Sequence, residues 1–398
     1  MAAPLLNNAT LYPTITVSMG TPTTASGAIF DTSVFDTGVF AADTSFVDVT
    51  SYVRQVSTTR GRSRDTDRFG TGSMTLTLSN KDDRFSPLNL AGPYVIGGIT
   101  QIRPGVPFKV TATWAGTTYP IFYGYSDSWD DSYIGMGKDG ITTVTIVDAL
   151  SVLANFDGLA VASVGAGELA STRISRIALN AGFTGAMILD AGAYTMQATT
   201  LASNALTEAG LTADSDGGYV FADASGALVF YDQTHTTTRA RSASSQFTFG
   251  KAVGAVRYEQ ADPTYDATLI YNTVSMSIAG GTATTVSDAT SVARYGIRTY
   301  RRYDFICQTD AQAAALAAVF LARYKEPDYL ISTLTVQGAA NPTVSWPLIL
   351  NVQLRDRVTV AITAPGGTAI SLDCYVDGIS NSITTNGWSM TFKFSGVV

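Results

Sequence analysis

The sequence has few of the residues on which most enzymes depend. Its 398 positions include one histidine, His235, and two cysteines, Cys307 and Cys374. With no second histidine and no Ser-containing elbow motif nearby, a Ser-His-Asp triad or a zinc centre is not expected. His235 sits in the polar run Gln233-Thr234-His235-Thr236-Thr237 after a hairpin pattern and reads as a surface-loop residue. The cysteines belong to no CxxC or metal-spaced set and read as buried free thiols. Only 14% of residues are charged, against a usual quarter. Glutamate is scarcest of all, appearing only as Glu168, Glu208, Glu259 and Glu326. An acidic complement made almost entirely of aspartate favours turns and caps over helices, which points to a strand-and-turn protein with a neutral, hydroxyl-rich surface.

Longer patterns are missing too. The longest apolar run, residues 313–322, is about half of what a membrane-spanning helix needs. Residues 1–10 have neither a basic start nor an apolar core, so no secretory signal is expected and synthesis in a cytoplasm is. No phosphate-cradling glycine motif occurs. The run Asp214-Ser215-Asp216-Gly217-Gly218 has its glycine too early for a calcium loop and no closing glutamate, so it reads as a turn between helix and hairpin. Asp127, Asp130 and Asp131 around Trp129 supply the one pattern that could serve sugar hydrolysis or sugar binding, yet no glutamate is close by. No cofactor or metal is implied.

What the chain does have is concentrated at residues 58–89. Arg60, Arg62, Arg64 and Arg68 form a basic cluster interleaved with Asp65 and Asp67. The interleaved carboxylates and a formal net charge of -7 argue against a nucleic-acid footprint. The cluster reads instead as guanidinium groups pairing carboxylates within the fold or across a subunit boundary. Residues 73–79 then alternate, with Met74, Leu76 and Leu78 on one face, the pattern of a half-buried strand.

Four regions follow from such patterns. Residues 1–46 read as an extended arm, with Phe30, Phe35 and Phe40 recurring at a spacing of five that suits neither helix nor strand. Residues 47–158 carry strand patterns at 47–53, 73–79, 107–114, 118–125 and 140–147 and a short helix at 148–155, as in a small barrel or sandwich. Residues 159–250 hold two helical faces, ending at Gly182 and Gly210, and a hairpin at 219–230, a small α+β insert. Residues 251–398 return to strands and contain the clearest helix, 309–325, opened by the capping box Thr309–Gln312 and followed by Pro327. The fold class expected is mainly β, with two β-barrel tube-type domains flanking an α+β domain.

The segments RGRSRDTDRFGTGSMTLTLSNKDDRFSPLN and RPGVPFKVTATWAGTTYPIFYGYSDSW resemble the minor tail proteins of long-tailed phages of actinobacteria. GELASTRISRIALNAGF, TDAQAAALAAVFLARYKEP and GWSMTFKFS agree in the same order, so the resemblance covers nearly all of the chain from residue 47. Such proteins are similar to the tail, or baseplate, hub family. The resemblance implies a non-enzymatic virion protein at the distal end of the tail, built from two tube-type barrels and assembled as a homotrimer whose duplicated barrels give pseudo-six-fold symmetry. The neighbours it implies are the distal tail protein, the tail tube protein, the tape measure protein and the downstream tip or spike proteins, with DNA passing through the lumen unread. Arg60, Arg62, Arg64, Arg68, Phe30, Phe35 and Phe40 are then the candidate subunit contacts. A hexameric distal tail ring is the alternative within the class, and a tail-associated carbohydrate-binding or wall-degrading module the alternative outside it. On charge alone, the purified chain is expected to pass through a heparin column at physiological salt; firm retention there would contradict the structural reading of the arginines.

Overall fold

The computed structural model describes residues 5–6, 8–22, 44–157, 167–201 and 203–397. It is mainly β, with a large, chiefly antiparallel sheet. Among the described residues no ring of paired strands closes. The chain divides into two compact units: described residues of Met1–Thr59, Ser73–Asp148 and Asn381–Ser389 form one, and those of Arg60–Gly72, Ala149–Ser380 and Met390–Val398 the other. Each unit draws on segments far apart in sequence, so a consecutive partition at residues 46, 158 and 250 is a different division of the chain.

In the first unit, antiparallel strands pair in the order Thr44–Asp48, Thr14–Pro22, Pro107–Trp114, Thr117–Ile134, Asp139–Val147 and Gly70–Ser79. Thr14–Pro22 lies within the segment read as an arm; its pairing edge is satisfied by Pro107–Trp114, with Val17 opposite Val110. Phe30, Phe35 and Phe40 lie outside the described residues. The period-two reading of residues 73–79 holds: Met74, Leu76 and Leu78 are wholly buried, Met74 opposite Ile146 and Leu76 opposite Val144 on the neighbouring strand, and Val17, Phe108 and Val110 are wholly buried as well. Gly124 is required by a close approach, because a Cβ there would lie 2.2 Å from the Val147 carbonyl oxygen.

The second unit combines helices and sheets. Helix Ala170–Asn180 and helix Ala205–Asp216 enclose an apolar core with the hairpin Tyr219–Ala222 and Leu228–Tyr231. The second of these helices does not stop at Gly210 as its sequence pattern suggested. It runs through to Gly217, whose φ of 76° forms the left-handed cap. The glycine inside the helix costs on the order of 1 kcal/mol of propensity, and the space it leaves is filled by Arg68, whose Cδ would lie 3.2 Å from a Cβ at that position. Helix Asp310–Tyr324 lies on the sheet Thr273–Ile278, Thr284–Ser287 and Thr299–Phe305 through Ala313, Leu316 and Ala317. Its capping box is complete: Thr309 accepts from the Gln312 amide, and Gln312 accepts from the Thr309 amide. The connection from helix to hairpin is only Gly217 and Gly218; Asp214, Ser215 and Asp216, read as part of a turn, are the helix's last residues. Helix Pro342–Ile349 had no legible signal; two prolines in eight residues hide it, and its Trp346 is fully buried.

Two substitutions test this account. Thr309→Ala removes one cap bond and is expected to cost about 1 kcal/mol, read as a shift of the urea midpoint. Gly124→Ala forces a strand apart from its partner and is expected to cost more, about 1–3 kcal/mol. Equal midpoints for Gly124→Ala and the parent chain would contradict the close approach.

Candidate functional site

The second unit contains a cavity of about 980 Å³. One wall is the face of helix Ala205–Asp216 carrying Leu206, Gly210 and Asp214; another is the face of helix Asp310–Tyr324 carrying Leu316, Val319, Phe320 and Arg323. Both sets follow the three- and four-residue spacing of one helical face. The loop of residues 65–69 forms a third side, and Tyr219, Arg355 and Tyr375 lie at its floor.

The floor is a buried charge network built around the arginine-rich segment. Gly61, at φ 109°, lets the chain pass against strand Ala369–Thr384, where a Cβ would meet the Asp377 carbonyl oxygen at 2.1 Å. The Arg62 amide donates to that carbonyl at 2.8 Å, and the Arg62 guanidinium donates to the Asp377 carboxylate (Nε to Oδ2, 2.9 Å) and to Asp65 Oδ1 at 2.6 Å. Asp65 Oδ2 also accepts from Tyr324 at 2.7 Å and from both Nε and NH2 of Arg323. Arg355 closes the set, donating to Asp377 Oδ1 at 2.6 Å and to Ser395 at 3.2 Å. The side chains of Arg62 and Asp377 are 2% and 3% exposed. Burial disfavours charge on Asp65, but Arg62, Arg323 and Arg355 outweigh it and hold its carboxyl below the usual range. Burial likewise works against the Arg62 cation, and Asp377 outweighs it, with Tyr219 and Asp65 adding. The guanidinium planes stack on aromatic faces, Arg62 over Phe69 and Tyr219, Arg355 over Tyr219 and Tyr375, all within 5 Å of the ring centres.

His235 belongs to this floor and not to a surface loop. Its ring is 2% exposed, set among Tyr219, Tyr231 and Tyr375. Nδ1 lies 2.8 Å from the Asp232 carbonyl oxygen and therefore carries the proton, leaving Nε2 to accept from Arg355 at 3.4 Å. Burial, and then the Arg355 charge, push its pKa down to about 3. The local polarity of Thr234–Thr237 gave no sign of this, because Tyr219 and Tyr375, two of its three aromatic partners, come from other strands.

The other sequence candidates are spread differently. Arg68 pairs with Asp214 at the cavity's rim, at 2.6 Å, and shares it with Arg302. Arg64 is exposed, and Arg60 is buried. Asp130 and Asp131 are consecutive on strand Thr117–Ile134, so they point to opposite faces and make no convergent carboxylate pair. Asp131 accepts from Thr142 and Asn80, Asp130 from Ser128, and the Trp129 indole donates to the Arg103 carbonyl. Both cysteines are buried and unbridged, and burial raises their thiols to about 11 for Cys307 and about 12 for Cys374. Among the described residues no group of His, Cys, Asp or Glu could hold a metal ion, and no helix is long and apolar enough to cross a membrane.

One carboxyl that the sequence placed in a turn is buried. Asp216, at the end of helix Ala205–Asp216, accepts from the Tyr194 amide at 2.7 Å, but burial, with Asp232 nearby, pushes its pKa up to about 7.

No family model and no curated protein matches the chain. Solved structures do. The chain is similar to the 43 kDa tail protein of prophage MuSo2 from Shewanella oneidensis, at 16% identity and a TM-score of 0.55 over 88% of this chain and 95% of that one. A tail protein from Neisseria meningitidis MC58 is similar at 13% identity and a TM-score of 0.60, over 96% and 95% of the two chains. The prophage tail protein gp18 from Listeria monocytogenes EGD-e is similar at 9% identity and a TM-score of 0.51, over 96% and 95%. At these identities what is shared is the fold, and it is shared almost end to end.

Two measurements test the site. Arg62→Ala strands Asp377 and Asp65 without their shared cation and is expected to cost about 3–5 kcal/mol; a loss below about 1 kcal/mol would show the network to be dispensable. The buried titrating groups act in opposite directions. His235 has its pKa lowered on folding, so its contribution is complete above the unfolded value near 6.5 and is lost as pH falls toward 3. Asp216 has its pKa raised, so the folded state loses stability as pH rises from about 4 to about 7. Asp216→Asn is therefore expected to raise the urea midpoint at pH 8 and to leave a stability that climbs steadily from pH 4 to pH 7. An unchanged pH profile would remove Asp216 from this account.

Proposed function

We propose that the chain is a structural protein of a phage virion, at the distal end of a long tail, where three copies form the hub ring between the tail tube or distal tail ring and the tip. The observation that carries this reading is the fold shared over about nine-tenths or more of both chains with three solved tail proteins. A fragment match would fit an accessory module; a match along the whole length fits a protein whose entire body is the shared scaffold.

In this reading each copy contributes two tube-type elements. Three copies carrying two tube-type elements each present six to a hexameric tube above while keeping a three-fold axis for the tip below. The tail tube and distal tail proteins, the tape measure protein and the tip or spike proteins are then its neighbours. Its DNA channel is lined by aspartate and hydroxyl side chains, in keeping with a net charge of -7, so that the genome passes without sticking. Of the arginine segment, Arg64 and the partly exposed Arg68 remain at the surface for subunit contact. The phenylalanines of residues 30–40 are proposed to plug pockets on a neighbour.

The first test is native mass across a range of concentrations. A trimer of the 41.9 kDa chain is expected. A hexamer would favour the distal tail ring. Cell-wall hydrolysis lost on substituting Asp130 and Asp131 would overturn the scaffold reading altogether.

A further inference from the structure

We infer that strand Met187–Leu189 accepts an added strand from a partner polypeptide, an extended, uncharged segment that lies in the groove between this strand and helix Ala170–Asn180. Such a contact does not require the ring proposed above. Strand Met187–Leu189 is the edge of a three-stranded sheet and pairs, in parallel, only with Leu228–Tyr231. The Ala186 carbonyl accepts from the Leu228 amide, and the Asp190 amide donates to the Phe230 carbonyl, both at 2.9 Å. Backbone direction alternates along a strand, so residues 186, 188 and 190 serve the sheet while the amides and carbonyls of Met187 and Leu189 point out of it. Among the described residues, none hydrogen-bonds to these outward groups.

A free strand edge specifies what fits it, because its spaced amides and carbonyls are matched by another backbone in the extended form. Proteins ordinarily blunt such edges with charge, proline or cover. Elsewhere in this unit that is so. Edge strand Gln260–Thr264 carries Asp262 and Pro263, and edge strand Thr299–Phe305 carries Arg301, Arg302 and Asp304. On the opposite edge of the same sheet, Val220, Phe221 and Ala222 are buried. Strand Met187–Leu189 is short, but it has neither charge nor proline, and its Ile188 is 42% exposed.

The helix adds an independent observation. Ala170, Ile174, Ile177 and Ala178 turn into the core. The flank turned away from it, with Ser171, Ser175 and Leu179, lines a groove of about 690 Å³ together with Leu189. Leu179 is 62% exposed, an apolar side chain left uncovered by its own fold. The groove's one charged side chain, Arg176, is paired with Glu168 at 2.8 Å, so a charge on the partner would meet no free counter-ion there. A helix of 11 residues is roughly 16 Å long, the span of about five extended residues. The occupant is therefore a short uncharged strand, held by its main chain, with an apolar side chain facing Leu179 and Leu189.

The test selects displayed random peptides on the full chain after subtraction on a Ser175→Trp variant, whose indole fills the groove from a position the core does not use. The enriched peptide is synthesised with its natural backbone and with N-methyl groups on either set of alternate residues, and binding is read by fluorescence anisotropy. Methylating one set removes the amides that face the strand and is expected to weaken binding about tenfold or more, while methylating the other set leaves it unchanged. Leu189→Pro removes an outward N–H and none that the sheet uses, and is expected to weaken binding by a similar factor. Ser175→Trp is expected to keep the parent's thermal midpoint, so loss of binding in it reports on the groove and not on the fold. Failure to enrich any peptide, or a peptide indifferent to methylation of both sets, would overturn strand addition. A dimer of the parent that Ser175→Trp abolishes would overturn it too, by showing that the edge pairs with its own copy.

Discussion

The second unit depends on satisfying Arg62. Moving a guanidinium out of water costs several kcal/mol, and that cost is offset only where carboxylates and carbonyls take up its donors in good geometry. Here Asp377, Asp65 and the carbonyls of Asp65 and Asp67 do so. The requirement is mutual, since Asp377 is equally buried and needs Arg62 and Arg355 together. A loop with no regular hydrogen bonding of its own, residues 62–69, is thereby given a single position. The tyrosine faces under Arg62 and Arg355, and the neutral imidazole that accepts from Arg355, are consequences of the same constraint.

A charge network of this kind makes stiff walls. The helix faces around the cavity are each tied to it, one through Arg68 and Asp214, the other through Arg323 and Tyr324. Enzymes tend to place a reactive group where such walls converge. In this cavity Asp65 is paired with Arg62, Arg323 and Tyr324, Asp214 with Arg68 and Arg302, and the imidazole is held neutral between Asp232 and Arg355.

Much of this was legible in the sequence because the signals were local. Met74, Leu76 and Leu78 announced their strand by alternation, and Thr309 with Gln312 announced the helix they cap. Aspartates interleaved with Arg60–Arg68 announced pairing rather than phosphate binding, since carboxylates beside guanidiniums weaken the field a phosphate would need. Other features gave no local sign. Helix Pro342–Ile349 is hidden by its prolines, and helix Ala205–Asp216 passes through Gly210, beside which Arg68, remote in sequence, is packed.

By itself, then, the sequence determined the β-rich class, the strands at 73–79, 107–114, 118–125 and 140–147, the helix at 309–325, and the structural bent of the arginine segment, because each follows from periodicity, caps or composition within a few residues. Only the tertiary structure decided which carboxylates the arginines meet, that His235 is buried and neutral, that Asp130 and Asp131 diverge, and that two helices and a loop enclose a cavity. Those outcomes rest on contacts between residues up to hundreds of positions apart, such as Arg62 with Asp377, and burial of that kind leaves no trace in the neighbouring sequence.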